Sequence, residues 1–215
     1  MFFIKIISES SSFKFSINAP CPPGLKTNLL LLSRMLQNPR SISTVVASSR
    51  YLGQSIAQNI PAGDGMVIEL GGGTGSITRS LLSVVRPEQL IVIERDLKLH
   101  RYLSLKFPEL RIVHGDAEQL ASIVAEHLAK NQRIKAVVSG LPLLSMSLAS
   151  QQSILEAVFN VIGDKGVFVQ FTYGVSCPVS PLVRERFHLQ AKSASRVWRN
   201  IPPAQVWTLT QNKRL

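Results

Sequence analysis

Cysteine is nearly absent from this chain of 215 residues. Cys21 and Cys177 form neither a zinc-type pair nor a disulfide framework, so both read as reduced thiols. The four histidines, His100, His114, His127 and His188, show no ligand spacing, and no metal is expected. Internal repeats are missing too. No secretory signal is expected, because Phe2 to Ile7 is short, is interrupted by Lys5 and lacks a small-residue cleavage site. Two long uncharged runs, residues 136–155 and 166–183, carry Gly, Pro and Ser or Gln; they read as buried strand plus loop rather than as spans. A cytoplasmic location is expected, with any membrane contact peripheral and at the inner face.

Acidic residues are scarce as well, 13 against 24 Lys and Arg, and their shortage is local. Residues 51–183 hold equal numbers of acids and bases, so the whole net charge of +11 sits at the two ends. The basic ends call for a polyanionic partner, an anionic membrane surface or nucleic acid. Residues 25–38 read as a helix with Leu25, Leu29, Leu32 and Leu36 on one face and Lys26 and Arg34 off it. Such a helix suits a lipid interface or packing on the core. Residues 1–40 are therefore set apart as an irregular segment plus basic amphipathic helix, and residues 41–215 as the main domain.

Within that domain the pattern is β-α repeated. Strands are expected near residues 66–70, 90–94, 110–113, 134–139 and 166–173, with helices near 50–59, 75–85, 96–106, 118–130 and 148–162. The spacing predicts a parallel sheet covered by helices on both faces. The tail alternates in strand fashion over Arg186 to Val197 and Ala204 to Thr210, closing the sheet as an antiparallel pair. The expected fold is α/β, with seven strands.

The chain is organised around Met66-Val67-Ile68-Glu69-Leu70-Gly71-Gly72-Gly73-Thr74-Gly75-Ser76, a buried strand running into a glycine turn and a helix. Gly71, Gly73 and Gly75 permit positive φ and close approach of a ligand, with helix N–H groups facing what sits over the turn. Their spacing fits the dinucleotide pattern G-x-G-x-x-G poorly. The second and third strands also end in acids, at Glu94 and at Asp116 followed by Ala117. A lone acid at such a place commonly caps a helix; three at successive strand ends suggest a ligand.

The stretch resembles the E-x-G-x-G-x-G turn of S-adenosylmethionine-dependent methyltransferases of the Rossmann-like class I. That resemblance implies S-adenosylmethionine as cofactor. It sets Glu69 near the methionine amino group, Gly71, Gly73 and Gly75 along the methionine and ribose, Glu94 at the ribose hydroxyls, and Asp116 with Ala117 at the adenine.

The fourth strand runs into Ser139-Gly140-Leu141-Pro142-Leu143. Enzymes that methylate adenine amines carry Asn or Asp before Pro here and an aromatic after it. This chain keeps Leu-Pro but lacks both the Asn and the stacking aromatic, a partner worth about 1–3 kcal/mol per base. No nucleic acid is expected as acceptor, and Leu143 is expected to line the acceptor path. Together with Phe171-Thr172-Tyr173-Gly174 and Arg196-Val197-Trp198-Arg199-Asn200-Ile201-Pro202-Pro203-Ala204, the loop makes the chain similar to bacterial phospholipid N-methyltransferases of the type related to ribosomal RNA adenine dimethylases. One departure is Ala47-Ser48-Ser49 where that family has Pro-Ser-Ser. The resemblance implies stepwise methylation of phosphatidylethanolamine toward phosphatidylcholine by a peripheral membrane enzyme. Ser139, the Gly140 carbonyl and Tyr173 are the candidates to accept from the amine, with Ser139 also set at the cofactor and Leu141, Tyr173, Arg196 and Arg199 around the substrate. The arginines are the candidate phosphate partners, and Tyr173, Trp198 and Trp207 could face the growing cation. The competing reading is an adenine N6-methyltransferase of ribosomal RNA.

Deleting residues 1–40 is expected to lower co-sedimentation with phosphatidylglycerol vesicles at low salt and leave cofactor affinity nearly intact. Undiminished pelleting of the shortened chain would make the 25–38 segment a core-packing element.

Overall fold

The computed structural model describes residues 42–129, 132–200 and 202–212, with the backbone alone for 42–49. The expected helix over 25–38 lies outside them. Seven strands form one sheet in the order β3-β2-β1-β4-β5-β7-β6. They are β1 (Met66–Leu70), β2 (Leu90–Glu94), β3 (Arg111–His114), β4 (Ile134–Ser139), β5 (Val167–Thr172), β6 (Leu189–Val197) and β7 (Ala204–Gln211). The first five are parallel, and β7 runs antiparallel between β5 and β6.

Strand residues alternate between two apolar layers, as the twofold period of a strand demands. Met66, Ile68, Leu70, Ile91, Ile93, Val137 and Phe168 face one layer. There they meet α4 (Leu120–His127), α5 (Leu148–Ile162) and α6 (Pro181–Arg186), through Leu120, Ile154 and Val183 among others. Val67, Leu90, Val92, Val138, Val169 and Val206 face the other layer. It is closed by α1 (Ile42–Ala57), α2 (Ser76–Leu81) and α3 (Leu97–Lys106), through Leu52, Ile56, Leu81 and Leu103. Burial on both faces is why β1, β2 and β4 read as nearly unbroken apolar runs.

Four boundaries differ from the sequence expectation, one of them the helix expected over 75–85, which ends at Leu81. The first helix starts at Ile42 rather than near residue 50, so Ser48 and Ser49 lie inside it. No Pro or Gly interrupts residues 41–52, so nothing breaks the helix there. Gly53 inside it is imposed by packing, since a Cβ would collide with the Ser80 side chain of α2. Residues 181–186 form a short helix that takes in Arg186, where the strand is expected to start; Pro181 opens it, a position that needs no N–H. His188, at φ 52°, then turns the chain into β6. The helix expected over 118–130 is a 3₁₀ turn at Ala117–Gln119 followed by α4.

Because β7 reverses, the turn between β6 and β7 returns to the edge where the parallel strands end. Thr172, the last residue of β5, pairs with Gln205 at the start of β7, and Val197 at the end of β6 pairs with Ala204. The connections after β1, β2, β3, β4 and β5 and the β6–β7 turn thus meet at one carboxyl edge, where open α/β sheets bind ligands.

Candidate functional site

The glycine turn is held from three sides. Gly71 N–H donates to the Ile93 carbonyl at 2.8 Å and Gly75 N–H to the Gly72 carbonyl at 2.8 Å. Gly73 N–H donates to Glu94 Oε2 at 2.9 Å. The amides of all three candidate glycines are therefore engaged, Gly71 and Gly73 with the end of β2 and Gly75 within the turn. From outside, α3 leans on it: a Cβ on Gly72 would stand 2.8 Å from a Leu103 methyl and 2.5 Å from Val92. A Cβ on Gly75 would strike the Phe107 ring and lie 3.0 Å from Leu103. Gly73, at φ 55°, is the exception, for nothing lies within 4 Å of where its Cβ would be. Gly72 and Gly75 are glycines because side chains crowd them, whereas Gly73 borders open space.

Glu94 is buried, and besides Gly73 its other oxygen, Oε1, accepts from the Asp96 N–H at 2.8 Å. Each oxygen keeps a lone-pair direction, enough for a vicinal diol. Asp116 caps the turn that follows it, accepting from the Glu118 N–H at 3.0 Å. Its second oxygen meets Arg95 at 3.3 Å at the surface. Ala117 behind it is buried in the core. Asp96, not singled out from the sequence, caps α3 by accepting from Lys98 and Leu99, which lowers its carboxyl pKa.

Glu69 is the anomaly. It is fully buried on the α1–α3 face of β1, and neither carboxylate oxygen has a hydrogen-bond partner. Burial pushes its pKa from 4.5 up to about 8. The Thr78 hydroxyl and N–H draw the value down and Glu94 adds to the rise. Thr78 Oγ1, itself buried, also lacks a full hydrogen bond, so its nearness to Glu69 falls short of pairing. An unpaired buried carboxylate costs stability unless a cation arrives to meet it. This orphaned acid, the diol-ready Glu94 and the open space at Gly73 fit a ligand bearing an ammonium and a ribose.

The loop after β4 crosses this turn. Gly140 N–H donates to the Leu70 carbonyl at 2.8 Å, and a Cβ on Gly140 would sit 2.8 Å from the Gly71 carbonyl. Leu141 lies over Gly71, at 3.0 Å from its virtual Cβ. Ser139 is fully buried and its Oγ accepts from the Leu141 N–H at 3.2 Å. Tyr173 packs in the opposite apolar layer, edge-on to Phe171 with ring centroids 5.6 Å apart. Burial raises its pKa, and a hydrogen bond from the Asn200 side chain opposes the rise. Ser139 and Tyr173 thus flank the carboxyl edge from different sides of the sheet instead of sharing one face. Leu143 belongs to the core rather than the acceptor path, because it opens the 3₁₀ turn Leu143–Ser145 and points inward. Arg196 and Arg199 stack on Trp198 and Tyr51 at 4.0 and 5.3 Å. Trp198 is 67% exposed, so it is neither a core residue nor part of an enclosed cage.

Gln170 was missed from sequence. Buried beside Ser139 in register, it donates from Nε2 to the Leu141 carbonyl at 3.0 Å and to the Phe171 carbonyl at 2.9 Å, while Oε1 has no partner. Its signal was a lone amide in the apolar run Val167-Phe168-Val169-Gln170-Phe171.

A doubly wound sheet ending in β7 reversed between β5 and β6, with a glycine turn after β1 and acids closing β1 and β2, defines a class I S-adenosylmethionine-dependent methyltransferase. The fold is shared with the 1,6-didemethyltoxoflavin-N1-methyltransferase of Burkholderia thailandensis, at TM-score 0.58 and 14% identity over 93% of this chain and 95% of that one. A glycopeptide N-methyltransferase solved with S-adenosylhomocysteine superposes at TM-score 0.58 and 12% identity, over 76% of this chain and 90% of that one. No family model matches the sequence. An ornithine lipid N-methyltransferase of Singulisphaera acidiphila is 31% identical over 188 residues, 84% of this chain and 94% of that protein. The chain belongs to the family of that lipid N-methyltransferase.

Two predictions arise here. Gly75→Ala should lower stability by about 2–4 kcal/mol through overpacking and a left-handed backbone. Gly73→Ala should cost about 1–2 kcal/mol for backbone alone yet sharply weaken S-adenosylhomocysteine binding. Denaturant melts beside calorimetry separate them, and equal stability losses would refute the contrast.

The second concerns protons. With its folded pKa above the unfolded value, Glu69 favours the free protein below pH 4.5 and withdraws that stability as pH rises through about 8. At pH 6.5 it is mostly protonated in the free protein, while a ligand α-amino group of pKa about 7.7–8.0 is charged. Pairing the two should release close to one proton. Calorimetry in buffers of different ionisation enthalpy should detect it, and Glu69→Gln should abolish it. An unchanged heat across buffers would remove Glu69 from the ammonium site.

Proposed function

We propose that the chain methylates the primary amine of a membrane aminolipid, with ornithine lipid as the leading acceptor. The observation that carries this reading is the 31% identity to the ornithine lipid N-methyltransferase over 84% of the chain. Phosphatidylethanolamine is the second reading, favoured by the Ser139 to Leu143 loop and the Arg196 to Ala204 tail. Both acceptors are zwitterions with an amine near an anion, so one site chemistry serves either.

When bound, S-adenosylmethionine supplies an electrophilic methyl group on a sulfonium. In this reading Glu69 pairs with its ammonium, Glu94 accepts from the ribose hydroxyls, and Asp116 accepts from the adenine amine while keeping its cap. Gly71 and Gly73 border the ligand, and Gly75 with Ala117 supports the walls. A primary ammonium has a pKa of about 10, and its charged form is disfavoured beside a cation and out of water. The neutral amine then needs orientation more than a strong base. The Gly140 carbonyl and Tyr173 hydroxyl accept from its N–H bonds, and Tyr173, whose pKa burial raises further, is a neutral phenol. Ser139 and Gln170 act through Leu141, fixing the loop by its N–H and its carbonyl. Orientation of this kind can supply several kcal/mol of a barrier.

Anionic surface binding fits the basic ends, and among the described residues no helix is long and apolar enough to cross a membrane. The test is transfer of labelled methyl from S-adenosylmethionine to vesicles containing ornithine lipid, to vesicles containing phosphatidylethanolamine, and to ribosomal RNA. Label in ornithine lipid is expected. Label confined to phosphatidylethanolamine would select the second reading, and label in RNA alone would overturn both.

A further inference from the structure

The carboxyl edge carries a second feature that cofactor binding does not use. Arg196 lies over the Trp198 ring and Arg199 over the Tyr51 ring, two cation–aromatic pairs on the end of β6, the turn after it and α1. They are neighbours, since α1 is tied to β6 by a hydrogen bond between Ser55 and Ser195. At the same edge, the loops after β4 and β5 expose Leu144 and Val175, the latter 69% accessible. Residues 140–150, 173–182 and 196–203 contain no acid at all, and their charges are Arg196 and Arg199.

Apolar side chains at loop tips, rings held by guanidinium groups and an absence of carboxylates together match one chemistry. Aromatic rings settle at the level of lipid headgroups, aliphatic tips enter the acyl boundary, and arginines meet phosphates. A nucleic acid would use the arginines and leave Leu144 and Val175 in water. Resting on the aminolipid reading above, we infer that this edge, through Tyr51, Leu144, Val175, Arg196, Trp198 and Arg199, is the face that lies on an anionic bilayer. The acceptor loop opens on the same edge, so a headgroup reaches Leu141 and Tyr173 without its lipid leaving the membrane. The arginines then act on neighbouring lipid phosphates rather than as a clamp inside the pocket.

The test uses the full chain, S-adenosylhomocysteine and vesicles of phosphatidylglycerol and phosphatidylcholine, with and without brominated acyl chains. Trp198 emission should shift to the blue on binding and be quenched by shallow bromines, and Trp198→Phe should remove that signal. Arg196→Gln and Arg199→Gln should each weaken partitioning about fivefold at low salt, less at high salt, and Val175→Asp should weaken it at both. Affinity for S-adenosylhomocysteine in solution should not move in any of them. If the protein pellets with vesicles while Trp198 stays unquenched, or if structured RNA shifts its emission and vesicles do not, the proposed face is wrong. Trp198 insertion without methyl transfer to any aminolipid would support the face and sink the substrate reading instead.

Discussion

The close packing of α3 against the glycine turn is the constraint from which the site follows. Leu103 and Phe107 press on Gly72 and Gly75 so tightly that neither position admits a Cβ. That contact fixes the left-handed turn at Gly71, Gly73 and Gly75. The fixed turn presents the Gly73 amide to Glu94, which ties the end of β2 to the end of β1. Glu69, one residue before Leu70 at the end of the same strand, is thereby buried under α2 where water cannot reach it. A loosened turn would hydrate Glu69 and let its raised pKa fall back toward 4.5; a tightened one would leave no room at Gly73.

Much of this was legible in the sequence because it follows from periodicity and spacing. Unbroken runs such as Leu90-Ile91-Val92-Ile93 announce doubly covered strands, and acids placed after them mark the carboxyl edge. What escaped the sequence was tertiary. Gly71, Gly73 and Gly75 look equivalent in a row, yet only the side chains across from them separate the crowded from the open. Leu143 looks like a lining residue by analogy with an aromatic, but the 3₁₀ turn at Leu143–Ser145 rotates it inward. Gln170 hides in an apolar run, and its tie to Leu141 spans 29 positions of sequence. The helix at 181–186 was missed because Arg184, Glu185 and Arg186 have little periodicity over so short a length.

The candidate residues fall on both sides of the sheet. The α1–α3 side holds Glu69 and Glu94, and Tyr173 packs in its apolar layer. The α4–α6 side packs Leu141 in its layer and shares β4 and β5 with Ser139 and Gln170. Gly140 joins them, since its backbone touches Leu70 and Gly71 directly. The glycine turn after β1 and the loop after β4 are therefore in contact through backbone at Gly140.

The strand order has a consequence for the making of the protein. β7 lies between β5 and β6, yet it is the last of the three in the chain. As synthesis proceeds, β6 emerges with no neighbour to pair with, and β5 presents a bare row of N–H and C=O groups. Only when residues 204–211 leave the ribosome do both strands gain partners at once. Until then Val167, Val169 and Phe171 stand on an open sheet edge, the kind of surface that invites pairing with another nascent chain. The late closure makes the seven-stranded sheet complete in one step, and makes the interval before it the protein's time of greatest exposure to aggregation.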